Sequence, residues 1–202
     1  MRMNAALNVI AVSLGLVALG ANAAPSASKA PAGAKTFQID SGHTYPSFEV
    51  DHAGGLSLWR GKFNSTSGTI TLDRARESGK LDITIDAASI DFGHDKMNEH
   101  VKSPDMLDVA KYPTATYTGT LEDFKNGAPT KVDGQLTLHG VTKPVELTID
   151  RFLCRAQPSG KEVCGANAVG KFNREDFGVS YGNNRGFFMD VTLAIQVEAK
   201  EE

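Results

Sequence analysis

The sequence lacks a large excess of either charge: its 202 residues include 21 Lys and Arg against 24 Asp and Glu. A net charge of −3 argues against a general nucleic-acid binder, because such proteins need a basic field to displace the counterions of phosphate. No apolar run long enough to cross a bilayer follows the N-terminal segment, so we expect no integral membrane segment there. The 8 prolines and 20 glycines are too few for a collagen-like repeat.

Motifs of common catalytic, metal and cofactor sites are also missing. The G-x-S-x-G of many hydrolases, the dinucleotide-binding G-x-G-x-x-G and the phosphate-binding P-loop do not occur. No pair of histidines has the H-x-x-x-H spacing of helical metal sites; the histidines are His43, His52, His94, His100 and His139. These absences give no sign of a nucleophile elbow, of a dinucleotide or phosphate site, or of a helical metal site. A pair of carboxylates that converges only in the fold stays open.

The N-terminus has the pattern of a secretory signal peptide. Arg2 supplies a positive charge, and a mostly apolar run follows at 5–20. Small residues at Ala21 and Ala23 then provide a cleavage site. We predict a signal peptide at 1–23 that is cleaved after Ala23, because the apolar run is short for a bilayer span.

Residues 24–35 differ in composition from the rest of the chain. They consist only of Ala, Pro, Ser, Gly and Lys, with no hydrophobic pattern. Such a segment buries too little apolar surface to offset its chain entropy. We predict a flexible tether at 24–35, followed by a single domain at 36–202.

The two cysteines, Cys154 and Cys164, lie on either side of a turn signal centred on Ser159. If an antiparallel hairpin folds about Ser159, the two cysteines face each other and their β-carbons are close enough for a bond. The alternatives are a redox pair, which is usually C-x-x-C, and a metal pair, for which two thiols supply only half of a zinc site. We predict a structural disulfide, which agrees with export.

From Phe37 onward, apolar and polar residues alternate as in half-buried strands. Examples are Leu81-x-Ile83-x-Ile85, Val145-x-Leu147-x-Ile149, the run from Met189 to Val197, and the shorter Leu56-x-Leu58. Because so large an antiparallel sheet must hide its edges, we predict an all-β fold. It is a single closed antiparallel barrel of about eight strands, whose interior holds either a packed core or one small ligand.

One region predicts one or two short helices instead of a strand. Ser103, Pro104 and Asp105 combine an N-cap, a proline at the first helical position and an acid in the first turn. Asp95–Lys102, just before them, is a candidate for another helical turn. We expect these pieces to cover the mouth or a flank of the barrel.

Four segments, in order along the chain, carry a resemblance to a known family. They are Ile39-Asp40 with His43-Thr44, Phe48, Val50 and His52; Ser89-Ile90 followed by Glu99-His100-Val101-Lys102-Ser103-Pro104 and Tyr112-Pro113; the run GQLTLHGVTKPV at 134–145; and Arg174-x-Asp176-Phe177-Gly178. The chain thereby resembles the YceI-like family of periplasmic, lipocalin-like proteins associated with binding polyisoprenoid lipids.

The resemblance implies a lipocalin-like barrel in the periplasm that binds an isoprenoid or other long-chain lipid in an apolar cavity, with no catalytic residue, no metal ion and no cofactor. The ligand would be an isoprenoid quinone, a polyprenyl phosphate or a fatty amide. The alternatives are an enzyme that acts on a lipid at the barrel mouth and a structural or stress-response barrel that binds nothing. We expect no nucleic-acid partner, and the sequence leaves open whether the chain forms a homodimer.

Eight residues are candidates for the ligand-binding wall: Phe48, Val50, His52, Met106, Leu107, Tyr117, Phe177 and Phe188. Phe48, Val50 and His52 share one face of a strand, and Tyr117 shares a face with the small Ala115. Phe177 comes from the last family motif, and Met106 and Leu107 are expected at the mouth. Phe188 is out of phase with the strand that starts at Met189, so it lines the wall only if a bulge follows Gly186.

Overall fold

Twelve strands and one α-helix make up most of residues 33–202, the part of the chain that the computed structural model describes. The strands are β1 (Lys35–Ile39), β2 (Tyr45–His52), β3 (Ser57–Phe63), β4 (Thr66–Asp73), β5 (Ser78–Asp86), β6 (Ile90–Asp91), β7 (Thr114–Glu122), β8 (Lys131–Leu138), β9 (Val141–Pro144), β10 (Leu147–Ala156), β11 (Glu162–Asn173) and β12 (Asp190–Glu201), and the helix is α1 (Asp95–Lys102). The predicted signal peptide at 1–23 and the predicted tether as far as residue 32 lie outside the described residues.

The first strand begins one residue before the predicted domain boundary. Lys35, which the composition assigns to the tether, pairs with Leu72 of β4. Its ammonium group binds Glu162 at 2.9 Å and Glu201 at 3.0 Å. Composition misplaces Lys35 because both of its ionic partners lie more than 100 residues away in the sequence.

Eight of the strands form a closed antiparallel barrel. Neighbours in the order β1-β4-β5-β7-β8-β10-β11-β12 are hydrogen-bonded, and pairing of β12 with β1 closes the ring. Closure gives every one of these strands a partner on both sides, which removes the free edges that an open sheet would expose. The predicted all-β barrel of about eight strands is thus confirmed.

The length of β12 gives it two partners along one edge. Residues 199–201 pair with β1, whereas residues 191–196 pair with β2. β3 pairs with β2, and the short β6 pairs with the end of β3. These three strands therefore extend the barrel wall at one end only, beside α1.

Most apolar alternation falls on the faces that the pattern predicts. Leu81, Ile83 and Ile85 of β5 line the interior, and so do the odd-numbered apolar residues of β12 from Val191 to Val197. The exception is β3, where Trp59 and Phe63 point inward and Leu58 is exposed. The opposite phase follows from pairing, because Trp59 lies directly across from inward-facing Val50.

The helical region contains one α-helix rather than two, and its position differs from the main prediction. α1 occupies Asp95–Lys102, and His94 caps it by accepting a hydrogen bond from the Met97 amide at 3.2 Å. Ser103 ends this helix instead of starting another, because a residue that precedes proline avoids the helical conformation. Across 33–202 no helix is long and apolar enough to cross a membrane.

Cys154 and Cys164 are bonded to each other, with their Cα atoms 4.0 Å apart. They occupy directly opposite positions of the β10–β11 hairpin, as expected for a hairpin folded about Ser159. The bond lies where β10 has lost one neighbour: β8 pairs with β10 only at Leu147 and Thr148. The disulfide therefore holds the part of the hairpin that the barrel ladder holds least.

Candidate functional site: an apolar cavity open at one end

The barrel interior contains a cavity of about 440 Å³. Its wall comes from the inward face of the barrel strands, from β2 and β3, and from α1. The volume lies within the usual range for small-molecule sites, roughly 300–1,000 Å³. The interior is therefore not a fully packed core.

One end of this cavity is closed and lined by buried apolar side chains. Phe37, Leu72, Leu121, Val132 and Ala199 line it, and none of them is more than 6% exposed. They come from five different strands, so the closure is built by the ring itself rather than by a loop. No ionisable side chain is among them, which makes this end suitable only for hydrocarbon.

The other end is open and rimmed by half-buried aromatic side chains. They are His52, Trp59, His100, Tyr181 and Phe187. The His52 ring lies 5.3 Å from that of Trp59 and 5.9 Å from that of Phe187, and His100 lies 4.6 Å from Tyr181. Rings with one apolar face and one polar edge suit a boundary between a dry interior and water.

Arg174 brings a buried cation to this open end. It is 9% exposed, and its guanidinium donates hydrogen bonds of 2.7 Å to the carbonyls of Val179 and Tyr181. Burial lowers the pKa of Arg174, and nearby Glu175 and Asp51 oppose that effect. Within residues 33–202 no carboxylate forms a salt bridge with it, so backbone carbonyls alone hold the group in place.

Asp51 is the acidic group on the same rim. Its carboxylate accepts hydrogen bonds from the amides of Gly54 at 2.9 Å, Gly55 at 2.6 Å and Phe188 at 3.0 Å. Partial desolvation acts to raise the pKa of Asp51, but the three amide donors together lower it. The carboxylate therefore joins the β2–β3 turn to the segment that precedes β12.

The Tyr117 ring lines the cavity, but its hydroxyl group is used in a hydrogen bond within the wall. Its hydroxyl donates to the Val145 carbonyl at 2.8 Å, and burial raises the pKa of the phenol above its usual value. The ring lies directly over Gly134, where a β-carbon would fall on the Tyr117 hydroxyl. Gly134 thus permits an aromatic ring at a position that any other residue would block.

Six of the eight predicted wall residues lie along the cavity: Phe48, Val50, His52, Met106, Leu107 and Tyr117. Phe177 does not line it; the side chain is 1% exposed and packs behind the wall residue Phe172, with 5.2 Å between ring centroids. Phe188 does not line it either and is 60% exposed. No bulge resets the phase before β12, so Phe187 takes the inward position instead.

Sequence reasoning missed Trp59, His100, Arg174, Tyr181 and Phe187 at the opening. Phe187 could have been found by extending the phase of Met189 and Val191 backward by two residues. Arg174 belongs to the last of the four family segments, but its charged sequence neighbours give no indication that its guanidinium is buried. His100 and Tyr181 meet only because α1 folds over the barrel end.

The two histidines of the rim have no catalytic partners in the described part of the chain. His52 contacts aromatic rings, and His100 contacts Tyr181. Neither imidazole is hydrogen-bonded to a carboxylate or a hydroxyl of residues 33–202. Aromatic contacts therefore place both rings at the rim.

A separate polar group lies outside the cavity, at the turn between β1 and β2. Asp40, His43 and Glu198 bring potential metal ligands together there. The Asp40 carboxylate is already bound by the Lys200 ammonium at 2.7 Å and by His43 Nδ1 at 2.9 Å. These two hydrogen bonds lower the pKa of Asp40 to about 2. The group therefore serves as an ion pair between the turn and β12.

Comparison with known sequences gives a consistent family. The YceI-like domain profile matches residues 37–199. Protein YceI of Escherichia coli is 34% identical over 161 residues, which are 79% of this chain and 83% of that protein. A UPF0312 protein of Pseudomonas syringae is 34% identical over 185 residues, which are 91% of this chain and 95% of that protein.

Solved structures share the architecture. The YCEI protein of Campylobacter jejuni superposes with a TM-score of 0.62 at 30% identity, covering 73% of this chain and 87% of its own. A polyisoprenoid binding domain from Saccharophagus degradans superposes with a TM-score of 0.58 at 16% identity, covering 82% of this chain and 98% of its own; at that identity it supports the fold alone. With the profile match over nearly the whole described domain, these findings establish that the chain belongs to the YceI-like family.

Proposed function

We propose that this protein binds and carries a long-chain isoprenoid lipid in the periplasm. The observation that carries the proposal is the cavity of about 440 Å³, which is mostly apolar, closed at one end and open at the other. An isoprenoid tail exposes little besides hydrocarbon, and removing it from water is favourable by roughly 25 cal/mol per Å². A polyisoprenoid binding domain from S. degradans has the same fold, which is compatible with this ligand class.

The two ends of the cavity divide the work of recognition. The closed end contacts the tail through non-directional apolar packing, which selects for length and width rather than for polar groups. The open end offers Arg174, Asp51 and the rim histidines to a head group. An isoprenoid quinone and a polyprenyl phosphate both fit this division, since each joins a hydrocarbon tail to one polar end.

Binding without chemical change is the second part of the proposal. Neither His52 nor His100 is hydrogen-bonded to an acid or a hydroxyl of residues 33–202, and a carrier needs no bond-breaking step. The lipid is therefore expected to leave the protein as it entered. Recovery of a chemically altered lipid after incubation would contradict this part and would favour an enzyme.

The periplasmic location rests on the sequence and on the cysteines. The predicted signal peptide at 1–23 directs export, and Cys154–Cys164 is bonded in the folded domain. Disulfides persist in the bacterial periplasm and are rare in the cytosol. Fractionation of cells should recover the protein in the periplasm with Ala24 as its N-terminal residue.

A titration of ligand-free protein tests the binding proposal. Trp59 lines the cavity and is the only tryptophan of the chain, so its fluorescence reports occupancy directly. We expect a saturable change in fluorescence at one ligand per chain with an isoprenoid quinone or with a polyprenyl phosphate. Each of the two lipids should displace the other from the cavity. A protein that gives no saturable response to either ligand would contradict the proposal.

A further inference from the structure

Three large apolar side chains are exposed together at the open end of the barrel. Leu56 is 77% exposed, Leu58 is 58% exposed and Phe188 is 60% exposed. They belong to the β2–β3 turn, the start of β3 and the segment before β12. Single exposed apolar residues need no explanation, but several on adjoining segments mark an interaction surface. We name these three residues the mouth patch.

Backbone contacts hold the mouth patch in one shape. The Asp51 carboxylate binds amides on both sides, at Gly55 and at Phe188. The Phe188 ring lies against Gly55, where a β-carbon would come within 3.3 Å of it. Leu56, the next residue, donates its amide to the His52 carbonyl at 3.1 Å. The turn and the loop therefore present one preformed surface rather than two independent tips.

The mouth patch is continuous with the rim of the cavity. Each exposed residue is next in sequence to a rim residue or shares its segment: Leu58 precedes Trp59, and Phe188 follows Phe187. Trp59 and Phe187 point into the opening, whereas Leu58 and Phe188 point away from it. A surface that contacts the patch therefore lies beside the path by which a ligand enters.

Charge is distributed around the mouth patch as on a protein that meets a bilayer. No charged residue occurs from Ala53 to Trp59. The next outward-facing residues of β3 are Arg60, which is paired with Glu49 at 2.6 Å, and Lys62. An uncharged apolar tip, with charged side chains set back from it, matches the order of acyl chains and polar head groups in a membrane surface.

We propose that the mouth patch docks the open end of the barrel onto a lipid bilayer, so that the ligand passes between membrane and cavity without crossing water. This inference rests on the proposed lipid-carrier function, and it names the partner surface for loading and release. A bilayer fits better than a protein because the proposed ligand resides in bilayers and the patch adjoins the opening. Leu56, Leu58 and Phe188 insert among the lipids, and Trp59 lies at the interface.

Vesicle binding tests the inference. The probe is vesicles of phosphatidylethanolamine and phosphatidylglycerol, and the readouts are co-sedimentation and the emission of Trp59. The test variant combines Leu56→Ser, Leu58→Ser and Phe188→Ser. The matched control combines Leu153→Ser and Val169→Ser, which are 50% and 41% exposed on β10 and β11. We expect the test variant to bind vesicles more weakly by about tenfold or more, with wild-type binding in the control.

A second readout separates this inference from the proposed function. The test variant should still hold lipid when it is loaded from detergent, because none of its three substituted residues lines the cavity. Transfer of that lipid to vesicles should slow in proportion to the lost binding. The docking inference would be overturned if the test variant transferred lipid at the wild-type rate, or if the wild-type protein did not bind vesicles. Lipid retention would still test the proposed carrier function separately. A dimer that dissociates in the test variant, with vesicle binding unchanged, would assign the patch to a second copy and overturn it as well.

Discussion

Individual residues decide how much of the barrel interior stays open. Gly134 leaves room for the Tyr117 ring, and Gly61 leaves room for Phe48, whose ring would lie 2.7 Å from a β-carbon at that position. The large rings therefore fold back against glycines on neighbouring strands instead of filling the centre. Ala115, which is 3% exposed and lines the cavity, adds a third small residue to the wall.

Replacing Gly134 with alanine should displace the Tyr117 ring and destabilise the protein. A β-carbon there collides with the ring and breaks its hydrogen bond to Val145. Overpacking of this kind costs about 1–3 kcal/mol, measured as the free energy of unfolding in urea. The matched control is Gly165→Ala, because its β-carbon would be 3.6 Å from the nearest atom. Equal stability of the two variants would contradict the role assigned to Gly134.

Replacing Ala115 with phenylalanine should fill the cavity and reduce lipid binding while leaving the protein folded. A larger side chain costs little when it enters empty space, so we expect less than about 1 kcal/mol of destabilisation, against 1–3 kcal/mol in a packed core. Bound lipid, measured in an organic extract, should fall strongly. Val169→Phe, on the exposed face of β11, controls for the change in residue type. Unfolding of Ala115→Phe, with lipid content unchanged, would show that the interior is packed.

At the scale of elements, the sequence predicts strands better than it predicts the opening. Alternation places Leu81, Ile83 and Ile85 correctly because one face of each barrel strand meets the interior and the other meets solvent. It fails at Leu58 and Trp59, where both faces carry apolar residues and only pairing with β2 sets the phase. The helix-start signal fails at Ser103, since serine can lie at the end of a helix as well as at its N-cap.

The β10–β11 hairpin depends on its disulfide more than its length suggests. Beyond Ile149, β10 is paired with β11 alone, so Cys154–Cys164 replaces the missing contact with β8. Closing a loop with a sequence separation of 10 contributes about 3 kcal/mol in the chain-entropy model. The variant Cys154→Ala with Cys164→Ala should lose about that much stability and become insensitive to reductant.

Thiol labelling of unreduced, denatured wild type should find no free cysteine, and two labelled thiols would refute the bond.

The Asp40 ion pair should make stability depend on pH in the acid range. Its pKa is lowered to about 2 by Lys200 and His43, so the charged form is favoured in the folded protein. The resulting stabilisation is complete above the ordinary carboxyl pKa near 4 and is lost as the pH falls from about 4 to about 2. Asp40→Asn should show a shallower loss of stability over that range than wild type. The control Asp82→Asn, on the exposed face of β5, should follow wild type; identical curves for all three proteins would contradict the effect.

At the scale of the molecule, the closed barrel encloses a cavity that is sealed at one end and open at the other. The sealed end is made by buried residues of five strands, whereas the open end depends on segments far apart in sequence: the β2–β3 turn, α1 and the loop before β12. Local sequence patterns predict the sealed end because alternation within each strand indicates which side chains face inward. They do not predict the open end, because its rim forms only when segments distant in sequence come together.

Whether the cavity holds a lipid is tested by mass spectrometry of an organic extract of the protein, isolated in its native state. We expect an isoprenoid lipid at close to one molecule per chain in the wild type and little of it in Ala115→Phe. An extract of folded wild-type protein with no more lipid than that of Ala115→Phe would show that the cavity is not a lipid site.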